Sequence, residues 1–132
     1  MELIQSSELP APAGHYSQAV AAGGLVFLSG ILPAANAVDP ATAGFEAQCA
    51  SVFDQCEKVL RAAGCGFGDV VQCTAYIVGV ENWPEFNAVY ARLFGAHKPA
   101  RAVVPVPALH YGFMIEVQLV AQRPAPGSMQ GP

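Results

Sequence analysis

The chain has 132 residues and a formal net charge of −4 at pH 7; 53% of its residues are hydrophobic and only 12% are charged. An ordinary soluble domain carries about 25% charged residues, and a small domain needs them to cover a large surface. The low charge predicts that part of the surface is buried against further copies of the chain. The acidic balance, with six Lys and Arg residues that do not cluster, argues against a nucleic-acid partner.

The amino-terminal third is predicted to contain an arm and a hairpin. Residues 1–13 are rich in Pro, Ala and Ser and are expected to run as an extended arm. Residues 17–38 contain no charge, but glycines and a proline interrupt them, whereas a membrane-spanning helix needs about 20 predominantly apolar residues. We therefore predict strands at 19–22 and 25–29 joined by a Gly-Gly turn, and no membrane partner.

Residues 45–63 show the clearest helical periodicity, and Gly64 follows in the position of a left-handed cap. The apolar side chains recur at three- and four-residue steps: Phe45, Cys49, Val52, Phe53, Cys56, Val59, Leu60 and Ala63. The other side of the helix is predicted to be polar and exposed, Gln48 and Gln55 included.

Residues 70–78 alternate in the manner of a β-strand. One predicted face carries Val71, Cys73, Ala75 and Ile77, and the other carries Gln72, Thr74 and Tyr76. A second helix is expected after Asn82, which is predicted to cap it, and Gly95 ends this helix.

The last two strands are predicted at 101–106 and 113–121. Pro105 and Pro107 donate no backbone hydrogen bond, so the first of these strands is expected to lie at a sheet edge or to become irregular there. The element order ββ–α–β–α–ββ predicts an α+β fold with two helices on one face of a sheet. The other face mixes apolar and polar side chains, which suits an interface between subunits that contains a site. Residues 1–123 are expected to form a single domain, and residues 124–132 a disordered tail.

Four cysteines, Cys49, Cys56, Cys65 and Cys73, show neither a CxxC motif nor a histidine at metal-ligand spacing. They are interpreted as small buried side chains in a reducing compartment, and no metal site is predicted. The amino terminus has no basic region ahead of an apolar stretch, so no secretory signal is predicted and a cytoplasmic location is expected.

Arg101 and Glu116 are the candidate catalytic residues. Arg101 begins a strand with no acidic residue nearby in sequence, and a guanidinium there can bind a carboxylate with two parallel hydrogen bonds. Glu116 lies in mid-strand, where partial burial raises the pKa of a carboxyl group and suits it to act as a general base. The structural alternatives are an ion pair of Arg101 with an acid elsewhere in the fold and a solvent-facing Glu116.

Three further side chains, Tyr16, Ser29 and Asn87, could offer hydrogen bonds to a ligand, although none is specific by itself. Ser29 precedes Gly30, where the backbone can approach a ligand closely. Asn87 lies near the start of the second predicted helix, where packing or capping is its alternative role. The chain contains no GxSxG, P-loop or GxGxxG motif.

Several stretches together carry a family resemblance: residues 14–19, 26–30, 62–71, 86–90, 99–101 and 115–117, with the sequences GHYSQA, VFLSG, AAGCGFGDVV, FNAVY, PAR and IEV. In order and spacing they resemble the reactive-intermediate deaminase (Rid, YjgF-like) family over residues 10–122. The resemblance implies a chorismate-mutase-like subunit in a homotrimer, with a cleft at each subunit boundary. It also implies hydrolysis of 2-aminoacrylate and related 2-imino acids to 2-keto acids and ammonia, with no cofactor.

Carried over position by position, the resemblance implies that Arg101 binds the substrate carboxylate and that Glu116 positions or activates the attacking water. Tyr16 and Ser29 would line the pocket. An enamine tautomerises to an imine whose carbon is electrophilic, and pairing with Arg101 would hold that carbon near the water.

The remaining positions carry backbone or structural roles. The amide of Gly30 or Ile31 would help to hold the ligand. Val103 occupies a position at which many members have Cys or Thr, and its backbone groups would serve instead. Asn87 matches the helix asparagine of the family, with a structural role.

Departures from the family pattern concern the substrate: His15, Ile31, Pro105, Pro107 and His110-Tyr111 differ from the usual residues. The leading hypothesis is a deaminase of the 2-aminoacrylate type. A deaminase of a larger enamine, such as an aminomuconate-type ring-cleavage product, and a non-catalytic metabolite-binding trimer both stay open. Ribonuclease activity, sometimes attributed to relatives, is not expected of an acidic chain without a basic patch.

Overall fold

The structure is a computed structural model and describes residues 1–125, so the predicted tail lies outside the described residues from residue 126 onward. The strands are β1 Glu2–Ile4, β2 Ala19–Ala22, β3 Leu25–Leu28, β4 Val70–Val78, β5 Ala100–Val106 and β6 Ile115–Gln122. The α-helices are α1 Phe45–Ala62 and α2 Trp83–Phe94. Short 3-10 turns lie at Phe67–Asp69, Val80–Asn82 and His110–Gly112.

The strands form one mixed sheet in the order β1-β2-β3-β6-β4-β5. The neighbours β4 and β5 run parallel, and the other pairs are antiparallel. Helix α2 supplies the long crossover that parallel neighbours require. The position of β5 at the sheet edge agrees with the prediction from Pro105, which has no N–H to donate.

Both helices cover the same face of the sheet, which confirms the predicted α+β arrangement. Phe53 of α1 lies 6.3 Å from Phe86 and 6.3 Å from Tyr90 of α2, measured between ring centroids. The β6 residues that point under the helices are fully buried: Ile115, Val117, Leu119 and Ala121. We call this side of the sheet the helix face and the uncovered side the open face.

Helix α1 ends at the glycine that the sequence indicates. Gly64 has a φ of 79°, and its N–H donates to the Arg61 carbonyl at 3.0 Å. The N–H of Cys65 donates to the Leu60 carbonyl at 2.8 Å, which completes a Schellman motif. No helix among residues 1–125 is long and apolar enough to cross a membrane.

The arm is more ordered than predicted. Residues 2–4 form β1 and pair with β2, with Leu3 aligned to Val20. The buried Gln18 holds the next part of the arm, because its side chain accepts from the Ser6 N–H at 2.7 Å and donates to the Pro10 carbonyl at 3.2 Å. Sequence analysis missed this strand because only three residues pair, and such a segment has no readable alternation.

The predicted faces of β4 and α1 need two corrections. Val71 is 42% exposed rather than buried, because a register shift between Val70 and Gln72 turns it outward. Gln48 and Gln55 are buried rather than exposed. The buried Gln48 side chain makes two hydrogen bonds in place of those to water. It accepts from the Met114 N–H at 2.8 Å and donates to the Ala43 carbonyl at 3.1 Å.

The start of α2 also differs from the prediction. Asn82 makes no side-chain cap to the helix; its Nδ2 donates instead to the Val78 carbonyl at 2.9 Å. Pro84 lies in the first turn, where a missing N–H is tolerated. The Asn82 side chain therefore connects the start of α2 to the end of β4 and does not cap the first turn of α2.

Candidate functional site

Arg101 lies near the start of the edge strand β5 and is exposed. It is aligned with Cys73 of β4, whose side chain is fully buried on the helix face, so the guanidinium also projects to that face. Its Cζ lies 4.9 Å from the centroid of the Tyr90 ring and 5.6 Å from that of Phe86. These distances are those of cation–π contacts, which orient a guanidinium without neutralising it.

The ion-pair alternative for Arg101 is not found in the part of the chain that the structure describes. The salt bridges among residues 1–125 use Lys58, Arg61, Arg92 and Arg123, and none uses Arg101. The guanidinium borders a groove of about 360 Å³ between α2 and the start of β5. Asn87 and Lys98 also line this groove, which we call the Arg101 groove.

Two titratable groups near the Arg101 guanidinium are protonated and neutral: Tyr90, which lines the Arg101 groove, and Cys73 of β4, which is aligned with Arg101. Burial raises the pKa of the Cys73 thiol to about 12, although the Arg101 charge opposes the shift. Burial likewise raises the pKa of Tyr90. The Tyr90 hydroxyl is buried and faces the Cys73 thiol, which is a weak hydrogen-bond partner. Arg101 and Lys98 are therefore the cations that the Arg101 groove offers to an anion, and Arg101 is the one that the rings of Tyr90 and Phe86 orient.

Glu116 lies in β6, between β3 and β4, and is aligned with Tyr76. It is half-buried on the open face. Burial raises the pKa of its carboxyl group, and the positive charge of His110 opposes that rise. A carboxylate with these neighbours is a better base toward water than a fully solvated glutamate.

Gly30 is the residue against which the Glu116 carboxylate packs. A Cβ at position 30 would overlap the Glu116 Oε2, so this close approach requires glycine. The Gly30 N–H donates to no backbone acceptor within residues 1–125. By contrast, the Ile31 N–H donates to the Val117 carbonyl at 2.8 Å. Of the two amides proposed as ligand donors, the Gly30 amide is the one that stays available.

Tyr16 and Ser29, the two predicted pocket side chains, differ in their hydrogen bonding and exposure. The Ser29 Oγ donates to the Ser17 carbonyl at 2.6 Å, so its hydrogen is in use and its lone pairs can accept. Tyr16 is 57% exposed. Tyr16, Gly30, Ile31 and Tyr111 line a second groove of about 420 Å³. Its other walls are arm residues 9–13 and loop residues 32–36, and we call it the arm–loop groove.

The predicted site residues therefore form two groups on opposite faces of the sheet. Arg101 and the partly buried Val103 point to the helix face, since Val103 is aligned with the buried Ala75. Glu116 points to the open face together with Tyr76. Strand β4 separates the two groups within one chain. A small substrate cannot contact both groups of the same chain.

Comparisons with known proteins place this geometry in a family. Residues 6–123 match the family model described as Endoribonuclease L-PSP. A RutC family protein of Pyrococcus horikoshii is 34% identical over 127 residues, which cover 92% of this chain and 98% of that protein. The chain belongs to the reactive-intermediate deaminase (Rid, YjgF-like) family. The resemblance seen in the sequence is thereby confirmed.

Two further relatives of this Rid-family chain have informative names. The chloroplastic Reactive Intermediate Deaminase A of Arabidopsis thaliana is 35% identical, over 91% of this chain and 65% of that protein. The crystal structure of E. coli TdcF with bound serine has a TM-score of 0.82 and 28% identity, over 94% of this chain and 100% of that chain. The fold is thus shared with a solved structure of a relative, and another relative carries a deaminase name.

Two residues of the turn before β6, His110 and Tyr111, were not predicted as site residues. His110 is close enough for its charge to act on Glu116, and its ring centroid lies 3.9 Å from that of Tyr111. Sequence analysis noted this pair as a departure from the family pattern, but the strand pattern gives no sign that the turn before β6 folds back toward Glu116. Among residues 1–125, no group of three His, Cys, Asp or Glu side chains could hold a metal ion.

Proposed function

We propose that this Rid-family chain is a hydrolytic deaminase of reactive enamine and imine acids of the 2-aminoacrylate type, releasing a 2-keto acid and ammonia. The observation that carries the proposal is that the candidate residues form two groups, which we call the Arg101 half-site and the Glu116 half-site. Arg101 is a cation with no acidic partner beside one groove, and Glu116 is a carboxyl group of raised pKa beside another. One group suits a substrate carboxylate, and the other suits a water molecule.

The proposed site is assembled between subunits of a homotrimer. The two half-sites lie on opposite faces of one sheet, so Arg101 of one chain would meet Glu116 of the next. The open face also carries apolar side chains that a neighbour would bury, since Phe27 is 44% and Val104 is 37% exposed. A closed ring of identical chains repeats the same contact at every boundary, which yields one complete site for each chain.

In this arrangement the chemistry follows from the two groups. Arg101 binds the substrate carboxylate through two hydrogen bonds and holds the imine carbon in place. Glu116 accepts a proton from water as the water oxygen bonds to that carbon. Glu116 returns that proton to the nitrogen, which gives a carbinolamine. It then accepts the proton of the new hydroxyl group and passes it to the amine, so that the carbon–nitrogen bond breaks, ammonia leaves and the carbonyl forms. Tyr16, Ser29 and the Gly30 amide would line the cleft.

Two comparisons support a small amino-acid-like substrate. The E. coli TdcF structure contains serine, which bears the same carboxylate and nitrogen on one carbon as an imine acid. The Arabidopsis relative is named for reactive-intermediate deamination. The family model's name points to ribonuclease activity instead, but a net charge of −4 disfavours the phosphate contacts that RNA binding needs. The proposed location is the cytoplasm.

The test is the hydrolysis of 2-aminoacrylate released by an amino-acid lyase, followed as pyruvate formation. The wild-type protein should accelerate pyruvate release, and Arg101→Ala should lower kcat/KM by about a hundredfold because positioning is lost. Arg101→Lys keeps the charge without the two parallel hydrogen bonds and should recover only part of the rate. Both variants should melt near the wild type, since this exposed side chain makes no ion pair within residues 1–125.

A wild-type protein that binds 2-keto acids without changing the rate of pyruvate release would instead indicate a non-catalytic metabolite-binding trimer. Loss of thermal stability in Arg101→Ala in parallel with loss of activity would assign Arg101 a structural role. Either result would remove the proposed chemistry.

A further inference from the structure

Tyr111 has a backbone conformation that its residue type rarely adopts. Its φ is 61° and its ψ is 12°, the left-handed region that mainly glycine and asparagine occupy. Gly112 follows with a φ of 78°, so that two successive residues turn the chain sharply before β6. A bulky residue in this conformation is retained when its side chain is needed at that place, and function is a common reason.

The Tyr111 ring is exposed but positioned. It is 66% exposed, and its centroid lies 3.9 Å from that of the His110 ring. It lines the arm–loop groove together with the proline- and alanine-rich arm. An exposed aromatic ring that borders an apolar groove gains most of its burial when the groove is filled.

The arm–loop groove opens directly beside the proposed base. Gly30 lines the groove and also contacts the Glu116 carboxylate, so both share one boundary residue. Most of the other wall residues are apolar, among them Leu9, Pro10, Leu32 and Pro33. A volume of about 420 Å³ lies within the range of small-molecule pockets. A three-carbon imine acid would leave most of this space empty.

We propose that the arm–loop groove receives the side chain of the substrate, and that the chain acts on imine acids with large apolar side chains in preference to three-carbon ones. The inference rests on the proposed function, because Glu116 must face the imine carbon. With that carbon at Glu116, the substrate side chain passes Gly30 and lies against the Tyr111 ring. Tyr111 is then a specificity-determining residue, and its backbone conformation places the ring there.

The experiment compares imines made in place by an L-amino-acid oxidase from alanine, leucine and phenylalanine. Semicarbazide traps each imine, and the fall in trapped product on adding the protein gives the rate of deamination above the uncatalysed rate. We expect kcat/KM for the imines of leucine and phenylalanine to exceed that for the imine of alanine by about tenfold or more, as apolar pockets discriminate side chains.

Three variants locate the origin of the preference. Tyr111→Gly suits the observed φ and should fold, yet it removes the ring and should reduce the large-to-small ratio about tenfold. Tyr111→Phe keeps the apolar ring and should keep the ratio. Ala35→Phe fills the groove that Ala35 lines and should lower the rate for large imines alone, whereas Ala37→Phe, on the exposed side of the same loop, is the matched control.

The outcomes separate this inference from the proposed function. If the protein accelerates no imine of any size, the deaminase proposal itself fails. If it accelerates the alanine imine as well as or better than the large ones, the deaminase proposal stands and the groove assignment fails. Equal effects of Tyr111→Gly and Ala35→Phe on small and large imines would also overturn the assignment.

Discussion

The two half-sites differ in how the fold holds them. Arg101 lies on an edge strand, exposed, and rests on the aromatic rings of Tyr90 and Phe86. Glu116 lies on an inner strand, half-buried, and is held between the Gly30 backbone and the charge of His110. Arg101 is therefore accessible to another chain, and the surroundings of Glu116 set the pKa of its carboxyl group.

The proposed homotrimer assigns the two half-sites of each complete site to different chains. In the proposed trimer, Arg101 on the edge strand and Glu116 on the open face both gain a further set of neighbours when another subunit arrives. The open face provides the surface for such an arrival, since it exposes Phe27 and Val104 beside polar groups. The two half-sites can be disturbed independently of each other.

The largest effect is expected from Gly30→Ala, which acts on the Glu116 half-site alone. The added methyl group would overlap the Glu116 carboxylate and displace it. Because the displaced atoms are the end of a flexible side chain, stability should fall by less than about 1 kcal/mol. The kcat/KM for imine hydrolysis should fall by about a hundredfold, since misplacement of the base disturbs the chemistry directly.

Gly68→Ala is the matched control, because a Cβ at position 68 meets no atom within 4 Å and the backbone there has no positive φ. It should leave both the melting temperature and the imine hydrolysis near the wild-type values. An active Gly30→Ala protein would show that the position of Glu116 does not matter for the reaction.

A smaller effect is expected from His110→Gln, measured as the pH dependence of kcat/KM. The base works when ionised, so activity falls as the pH drops through the pKa of Glu116, which burial raises above its ordinary value. The His110 charge lowers that pKa. Its removal should therefore move the acidic limb of the profile to higher pH, and His15→Gln, at an exposed histidine that does not act on Glu116, should leave the limb in place.

The raised pKa of Glu116 also makes the free energy of unfolding depend on pH in a defined direction. A carboxyl group whose pKa is raised in the folded state binds its proton more tightly there than in the unfolded chain. Its contribution to stability is present at acidic pH and declines as the pH rises through the raised pKa. Denaturant unfolding of Glu116→Gln should therefore show a smaller decline over that range than the wild type, and an equal decline would contradict the assigned burial effect.

The smallest effect is expected from Tyr90→Phe, which tests the Arg101 half-site. The Tyr90 hydroxyl is buried against the Cys73 thiol, a weak hydrogen-bond partner, so its removal should change the free energy of unfolding by less than about 1 kcal/mol. The ring that supports Arg101 remains, and kcat/KM should stay within about twofold of the wild type. A large loss of activity would show that the hydroxyl, and not the ring alone, holds the arginine in position.

The sequence predicts what depends on periodicity. The face of α1, the alternation of β6 and the edge position of β5 follow from apolar spacing, Gly64 and Pro105, and the structure confirms them. The errors concern local events that periodicity does not contain. The features that were not predicted are the three-residue strand β1, the register shift that exposes Val71, and the buried hydrogen bonds of Gln48.

The candidate site was predictable in residue type and less so in arrangement. Arg101 and Glu116 are identifiable from their context and from the family resemblance. Their location on opposite faces depends on the alignment of β4 with both β5 and β6, which sequence spacing does not determine. The approach of His110 to Glu116 depends on the turn at Tyr111, where the observed φ is one that residue preferences argue against.

The most direct test of the two-chain site is complementation between Arg101→Ala and Glu116→Gln, each inactive alone. The two proteins are mixed in equal amounts, unfolded, refolded together and assayed for imine hydrolysis. If each site takes Arg101 from one chain and Glu116 from the next, random assembly leaves about a quarter of the sites intact, and about that fraction of wild-type activity should return. If the mixture stays as inactive as its components, both residues act within one chain or the chains do not assemble, and the account is contradicted.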